Sequence, residues 1–278
     1  MSRSGRVGRA LLMLPVLVYT AFSVGPYLWT ATMSLRTTDE IYRSHYGPLI
    51  PAHWGKYYQA WTEFGYATYF RNSAVVAVVS VLLVTAFGAM AGFAFGRRRY
   101  AFPLREPLFL VIFLSVMFPP QIMLLALFQI LVQYRLFNSL TGLVLVYVAT
   151  ELPLTIYLLR AFFAQIPQEL EEAARIDGCG DWGLFWRVMF PVALPAVATT
   201  VILNFIYFWN EFLYAVVFIT QQKIRTLPLA IQFLVSDQYQ DIGMLATGLM
   251  IATLPVLVLY LFLSEWFVRG MTAGAIKG

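Results

Sequence analysis

Apolar residues run along the chain in six long blocks, at about 10–34, 72–96, 107–132, 140–163, 197–220 and 243–267, and polar residues collect between them. About 20 mainly apolar residues cross a bilayer core as a helix, so each block predicts one transmembrane span. The expected fold is all-α and integral to the membrane, with six transmembrane helices. The first block is too long for the apolar core of a signal peptide and no Ala-x-Ala-like site follows it, so it reads as a retained span. The longest non-membrane stretches, about 35–71 and 164–196, are too short for a soluble domain, which makes residues 1–278 a single transmembrane domain. In the third block, Pro119-Pro120 removes two backbone donors and predicts a kink that lines a cavity or a gate.

The stretch 164–196, between spans four and five, has its own pattern. Pro167 suits a first helical turn, where its missing N–H is not needed. Leu170, Ala173 and Ala174 fall on one face at i, i+3, i+4 spacing, while Glu169, Glu171, Glu172 and Arg175 supply polar faces. Gly178 and Gly180 can stop this helix, and Asp181 is placed to cap a second one beginning at Trp182. Pro191 and Pro195 close the segment. An exposed helix–glycine–helix elbow of this kind suits docking into a groove on another protein.

Composition agrees with the membrane reading. The chain is 60% hydrophobic and 12% charged, against roughly 25% charged residues in soluble domains. Its net charge of +5 does not form a phosphate-tracking stripe, because the basic residues sit at the ends of apolar blocks. Lipid is therefore the expected partner and nucleic acid is not. Twelve of the 19 basic residues lie on one side of the membrane, four of them (Arg97, Arg98, Arg99 and Arg105) within one short loop. Both termini and the elbow are thus expected in the cytoplasm. The segment 35–71, with Trp54, Tyr57, Tyr58, Trp61 and Tyr69, is expected outside as an interfacial aromatic cap. The single cysteine, Cys179, excludes an internal disulfide.

Transport against a gradient needs an energy source. A nucleotide-binding P-loop requires Gly-Lys-Ser/Thr, and none of Lys56, Lys223 and Lys277 stands in that context, so the chain has no ATPase of its own. An ion-coupled carrier instead uses membrane-buried carboxylates. Glu151 and Glu211 are candidates, and Glu265 lies close to a cytoplasmic end; a self-sufficient secondary transporter is the competing reading. No nucleophile–base pair or metal-ligand spacing is present, so neither an enzyme, a catalytic residue, a metal site nor a cofactor is expected. His45 and His53 read as surface residues, and Cys179 as a small packing residue.

At Glu172-Ala173-Ala174-x-x-Asp177-Gly178, followed by Phe185, Val188, Pro191 and Pro195, the chain resembles the cytoplasmic loop of ATP-binding-cassette importer membrane subunits. The ending Gly270-Met271-Thr272-Ala273-Gly274-Ala275-Ile276-Lys277-Gly278 and Trp209-Asn210-Glu211-Phe212 in span five are similar to those of the maltose-type carbohydrate subfamily. Cys179, Phe190 and Met271 depart from the commoner alanine, leucine and leucine, all as apolar exchanges. The resemblance implies a permease subunit working with two ATPase subunits, a second and different permease subunit, and an external solute-binding protein. It implies a bacterial or archaeal plasma-membrane location and a cargo among oligosaccharides, disaccharides, polyols or glycerol phosphates. It further implies that Glu171, Glu172, Ala173, Ala174, Asp177 and Gly178 couple to the ATPase, and that a small tail including Thr272, Gly274, Lys277 and Gly278 touches it.

For the pathway, polar groups at membrane depth usually face a bundle interior or a cavity. Asn204 and Glu211, seven residues apart, would share a helix face in span five, with Glu151 nearby on span four, and all three are expected to face the solute pathway. Tyr207 and Trp209 could stack on a sugar ring. The alternative for each is interhelical hydrogen bonding, or aromatic packing.

Overall fold

Every regular element among the described residues is helical, as expected for a chain whose backbone polar groups must be satisfied inside a bilayer. The computed structural model describes the backbone of residues 3–47, 51–97, 100, 102–236 and 241–275, and the side chains of residues 12–47, 51–97, 100, 102–233 and 241–262. The first helices are α1 (Arg3–Ser34), α2 (Thr38–Arg43), α3 (Gly55–Thr62) and α4 (Tyr66–Gly96). Next come α5 (Arg105–Leu114), α6 (Pro120–Gln133), α7 (Leu140–Phe163) and α8 (Gln168–Ile176). Then follow α9 (Asp181–Gly183), α10 (Phe190–Asn210), α11 (Leu213–Phe218), α12 (Leu227–Ser236) and α13 (Ile242–Ala275). Among the described residues, five helices are long and apolar enough to cross a membrane, and the bent pair α5–α6 makes a sixth when taken as one span.

The chain forms two compact units, Met1–Ala67 with Ala230–Leu254, and Thr68–Leu229 with Pro255–Gly278. In the first unit, α1 exposes Leu12, Leu17, Phe22 and Tyr27, a surface suited to an apolar solvent. Short polar locks hold the rest of the unit. Arg36, 4% exposed, donates to the carbonyls of Glu40 and Ser44 at 2.7 Å each and so closes the end of α2. Asp241 caps the start of α13, accepting from the Met244 N–H at 2.8 Å and the Thr38 hydroxyl at 2.6 Å. Glu40 completes a capping box, accepting from the Thr37 N–H at 2.8 Å while its own N–H reaches the Thr37 hydroxyl oxygen at 3.3 Å. That backbone hydrogen bond, followed by one to His53, lowers the Glu40 pKa to about 2.

In the second unit, α4 and α7 approach closely along Gly88, Gly92 and Gly96. A Cβ on these residues would come within 2.6 Å of Thr155 Cγ2, 2.9 Å of Leu159 Cβ and 3.0 Å of Phe163 Cβ. This is the small-xxx-small contact by which helices associate in lipid, where close van der Waals packing replaces the hydrophobic effect.

Three sequence expectations are corrected here. The third span is broken rather than kinked: its two halves, Arg105–Met117 and Pro120–Gln133, meet at 106°. Pro119 is held extended, at φ −58° and ψ 135°, and Pro120 restarts the helix at its first position, where a proline needs no donor. The fifth span begins earlier and ends sooner than the block 197–220. A continuous helical path runs Asp181–Asn210 and stops before Glu211. Pro191 and Pro195 therefore lie within the helix instead of closing the loop. Residues Leu184–Met189 upstream adopt wider π-helical turns, which relax the ladder just before proline withdraws a donor. Finally, the sixth helix is longer than the block 243–267: α13 runs through Thr272 and Gly274 to Ala275. The side chain of Thr272, and all of Lys277 and Gly278, lie outside the described residues.

Candidate coupling elbow and membrane cavity

Helix α8 ends in a Schellman motif, because Gly178 takes φ +83°, a left-handed conformation that glycine adopts without a Cβ clash. The Gly178 N–H reaches the Arg175 carbonyl at 2.9 Å, and the Cys179 N–H reaches the Ala174 carbonyl at 3.0 Å. The chain thus reverses in two residues, as the glycine reading predicted. Asp181, expected to cap the second helix, does other work. Its carboxylate accepts from Arg175 at 2.6 Å and from the Tyr100 hydroxyl at 2.8 Å, and Asp181 itself makes the first turn. Burial, reinforced by that acidic acceptor, pushes the Tyr100 hydroxyl pKa up to about 12.

Glu171 also departs from the sequence reading, which gave it to a polar outer face. It is 4% exposed and points inward, its carboxylate 2.8 Å from Arg97 Nη2 and 2.9 Å from Nε. Arg97 in turn donates to the carbonyls of Phe163 and Ile166 at 3.2 and 2.7 Å. One guanidinium therefore joins the end of α4, the open carbonyls at the end of α7, and the first turns of α8. Removing one partner of a buried ion pair typically costs about 3–5 kcal/mol, since the other charge is left in a low dielectric. Ala174 turns the same way, into a core with Phe93, Leu159, Phe163, Leu184, Phe185 and Met189. The opposite face is open: Leu170, Glu172, Ala173, Ile176, Asp177 and Gly178 are exposed, Ile176 at 87%. The elbow is rigid inside and bare outside.

At membrane depth, a cavity of about 190 Å³ lies at the α5–α6 bend, against α7 and α10. Among its walls are Ser115, Phe118, Thr150, Glu151, Tyr207 and Tyr214. The kink expectation holds in this respect, since Pro120 and its neighbours line the cavity. Glu151 and Tyr207, both named from sequence, are brought together there. Among the described residues the Glu151 carboxylate meets no ion-pair partner.

The other three pathway candidates are used internally. Asn204, 5% exposed, donates to Thr155 Oγ1 at 3.0 Å and ties α10 to α7. Glu211 lies outside the helix, so the seven-residue spacing to Asn204 carries no face relation. Its carboxylate accepts from the Tyr147 hydroxyl and from the N–H groups of Tyr214 (2.7 Å) and Ala215 (3.2 Å), capping α11. Trp209, 2% exposed, packs edge-on to Phe70 and stacks on Phe205. Interhelical bonding and packing are the roles the geometry gives these three.

Sequence reasoning missed Arg97, which it used only to orient the chain, and Tyr147 and Tyr214. It also passed over the Gly-x-x-x-Gly-x-x-x-Gly run at 88–96, the signal that most directly marks the α4–α7 contact. Arg160 is likewise structural, bonding Glu106 at 2.7 Å and lying 3.7 Å over the Phe109 ring.

Known proteins share this architecture. A solved bacterial ABC transporter involved in the import of the acidic polysaccharide alginate superposes with a TM-score of 0.81 at 20% identity, over 96% of this chain and 99% of that one. Among sequence relatives, the diacetylchitobiose uptake system permease protein NgcG of Streptomyces coelicolor is 34% identical, over 99% of this chain and 90% of its own length. The probable ABC transporter permease protein YurM of Bacillus subtilis is 32% identical, over 99% of this chain and 91% of its own. The family of binding-protein-dependent transport system inner membrane components matches residues 84–273, the span that holds both the elbow and the cavity, and the chain belongs to that family.

Proposed function

We propose that this permease subunit carries a sugar or sugar-like solute through the plasma membrane of a bacterium or archaeon, in an importer driven by ATP. An external solute-binding protein delivers the cargo. Two partner ATPase subunits hydrolyse the nucleotide, so the chain itself is not an enzyme. A second, different permease subunit completes the pathway. Residues 1–278 act as one transmembrane permease domain with both termini and the elbow in the cytoplasm.

The observation that carries this reading is the two-sided construction of α8. Its inner face is fastened to α4 and α7 through Glu171, Arg97 and Ala174, and its outer face is exposed. A groove on the ATPase that moves when nucleotide binds would grip Leu170, Glu172, Ala173, Ile176 and Asp177. The aromatic core behind them would pass the displacement to α7 and α10. The work comes from the ATPase's different affinity for the elbow in its two states. Glu172 is suited to a charge-assisted bond with a partner arginine. The tail with Thr272, Gly274, Lys277 and Gly278 is proposed as a second ATPase contact.

Purification of the complex and reconstitution into vesicles test this. A co-purifying ATPase, with uptake that requires both ATP and the binding protein, is the expected result. Glu172→Lys should abolish stimulated ATPase activity and uptake while the subunit remains inserted. Uptake by the isolated chain driven by a proton or sodium gradient would overturn the reading in favour of a secondary transporter.

A further inference from the structure

Among the described residues that line the cavity, none is lysine, arginine or histidine. The one ionisable carboxyl group there is that of Glu151. The remaining polar groups are hydroxyls, and two of these are already committed: Ser115 donates to the Ile112 carbonyl at 2.6 Å, and Thr150 to the Val146 carbonyl at 3.0 Å. Their donor hydrogens are therefore spent on the backbone, and the Tyr207 hydroxyl lies beside them. Aromatic rings come from Phe118 and Tyr207, and aromatic side chains suit the apolar C–H face of a sugar ring. The space corresponds to about six waters.

The wall that this chain contributes supplies no cation to compensate a phosphate, sulfate or carboxylate drawn out of water, and an uncompensated buried charge is far costlier than a hydrogen-bonded hydroxyl. Either protonation state of Glu151 leads to the same selection. The carboxylate repels an anion and accepts from hydroxyl or ammonium groups; the acid form donates one hydrogen bond and still supplies no positive charge. Resting on the importer reading above, the geometry points to a solute that is uncharged or amine-bearing, a neutral or amino sugar or polyol, with Glu151 as the specificity-determining residue that turns away glycerol phosphates and uronates.

The purified importer complex in nanodiscs, with Cys179→Ala as background, provides the test. Ala149→Cys, and Met123→Cys as a second reporter, place a thiol on the cavity wall. Rates are compared for a methanethiosulfonate reagent bearing an ammonium group and one bearing a sulfonate, each normalised to a free thiol. The ammonium reagent should be favoured about tenfold, Glu151→Gln should remove most of that preference, and Glu151→Lys should invert it. A preference that survives Glu151→Gln unchanged, or a sulfonate reagent that reacts equally fast in the parent, overturns the proposal. So does protection of the thiol by glycerol 3-phosphate or a glucuronate disaccharide as strong as that by a neutral or amino disaccharide. Loss of ATP- and binding-protein-dependent uptake as the working activity, with the charge preference intact, would instead overturn the importer reading.

Discussion

Two glutamates, Glu171 in the elbow and Glu151 in the membrane cavity, sit in low-dielectric surroundings and are treated in opposite ways. Glu171 meets a guanidinium at 2.8 Å and is almost fully enclosed with it. Glu151 is half-buried and faces a cavity with no cation on its wall. A third membrane carboxylate, Glu211, resembles the first, because a tyrosine hydroxyl and two backbone N–H groups satisfy it. The two partnered carboxylates tie helices together, whereas Glu151, with no ion-pair partner among the described residues, lines a cavity.

The comparison breaks first at the elbow. Arg97→Ala should have the largest effect, lowering the stability of the detergent-solubilised protein by about 3–5 kcal/mol, because it strands Glu171 in the core. Thermal unfolding followed by tryptophan fluorescence reads this out. The double exchange Arg97→Met with Glu171→Leu should restore much of the stability, since no charge is left unpaired, while coupling remains impaired if the pair positions α8. Glu151→Gln should leave unfolding nearly unchanged and act on solute handling alone; equal destabilisation by both glutamate exchanges would erase the distinction.

Gly92→Val ranks next. Its side chain would collide with Leu159 across the α4–α7 contact, and overpacking of this kind costs about 1–3 kcal/mol. The same measurement checks it. Gly178→Ala is expected to cost about 1–2 kcal/mol through its left-handed backbone rather than through any clash, as the space around it is open. Gly178→Asn should be milder, because asparagine tolerates that conformation, and the two variants together separate backbone strain from lost partner contact when ATPase stimulation is assayed.

The smallest effect concerns Glu40, a partnered but solvent-exposed carboxylate. Its pKa is depressed from 4.5 to about 2, so its contribution to the α2 cap is complete above about 4.5 and is lost as the pH falls towards about 2. Amide exchange in α2 should rise over that window, and Glu40→Gln should remove the dependence. An unaltered profile in Glu40→Gln would show that the cap draws its pH dependence from elsewhere.

The membrane class, the number of apolar blocks, the elbow and its glycine reversal, and Glu151 and Tyr207 as polar groups worth naming in spans four and five were all legible in the chain. Each rests on a local property: block length against bilayer thickness, helix-stop chemistry, and the cost of polar groups at depth. What stayed illegible depends on partners distant in sequence. Arg97 finds Glu171 across 74 positions and Asn204 finds Thr155 across 49, and no periodicity reports which way such a side chain turns. Helix ends moved for a related reason: Glu211 could be read as continuing α10 until its carboxylate was seen capping α11 and meeting Tyr147. Sequence alone determined that this chain lies in a membrane and carries a helix–glycine–helix elbow between its fourth and fifth spans. Only the tertiary structure decided which carboxylates tie helices together and which lines a cavity without an ion-pair partner, because that depends on whether the fold brings a donor within hydrogen-bonding reach.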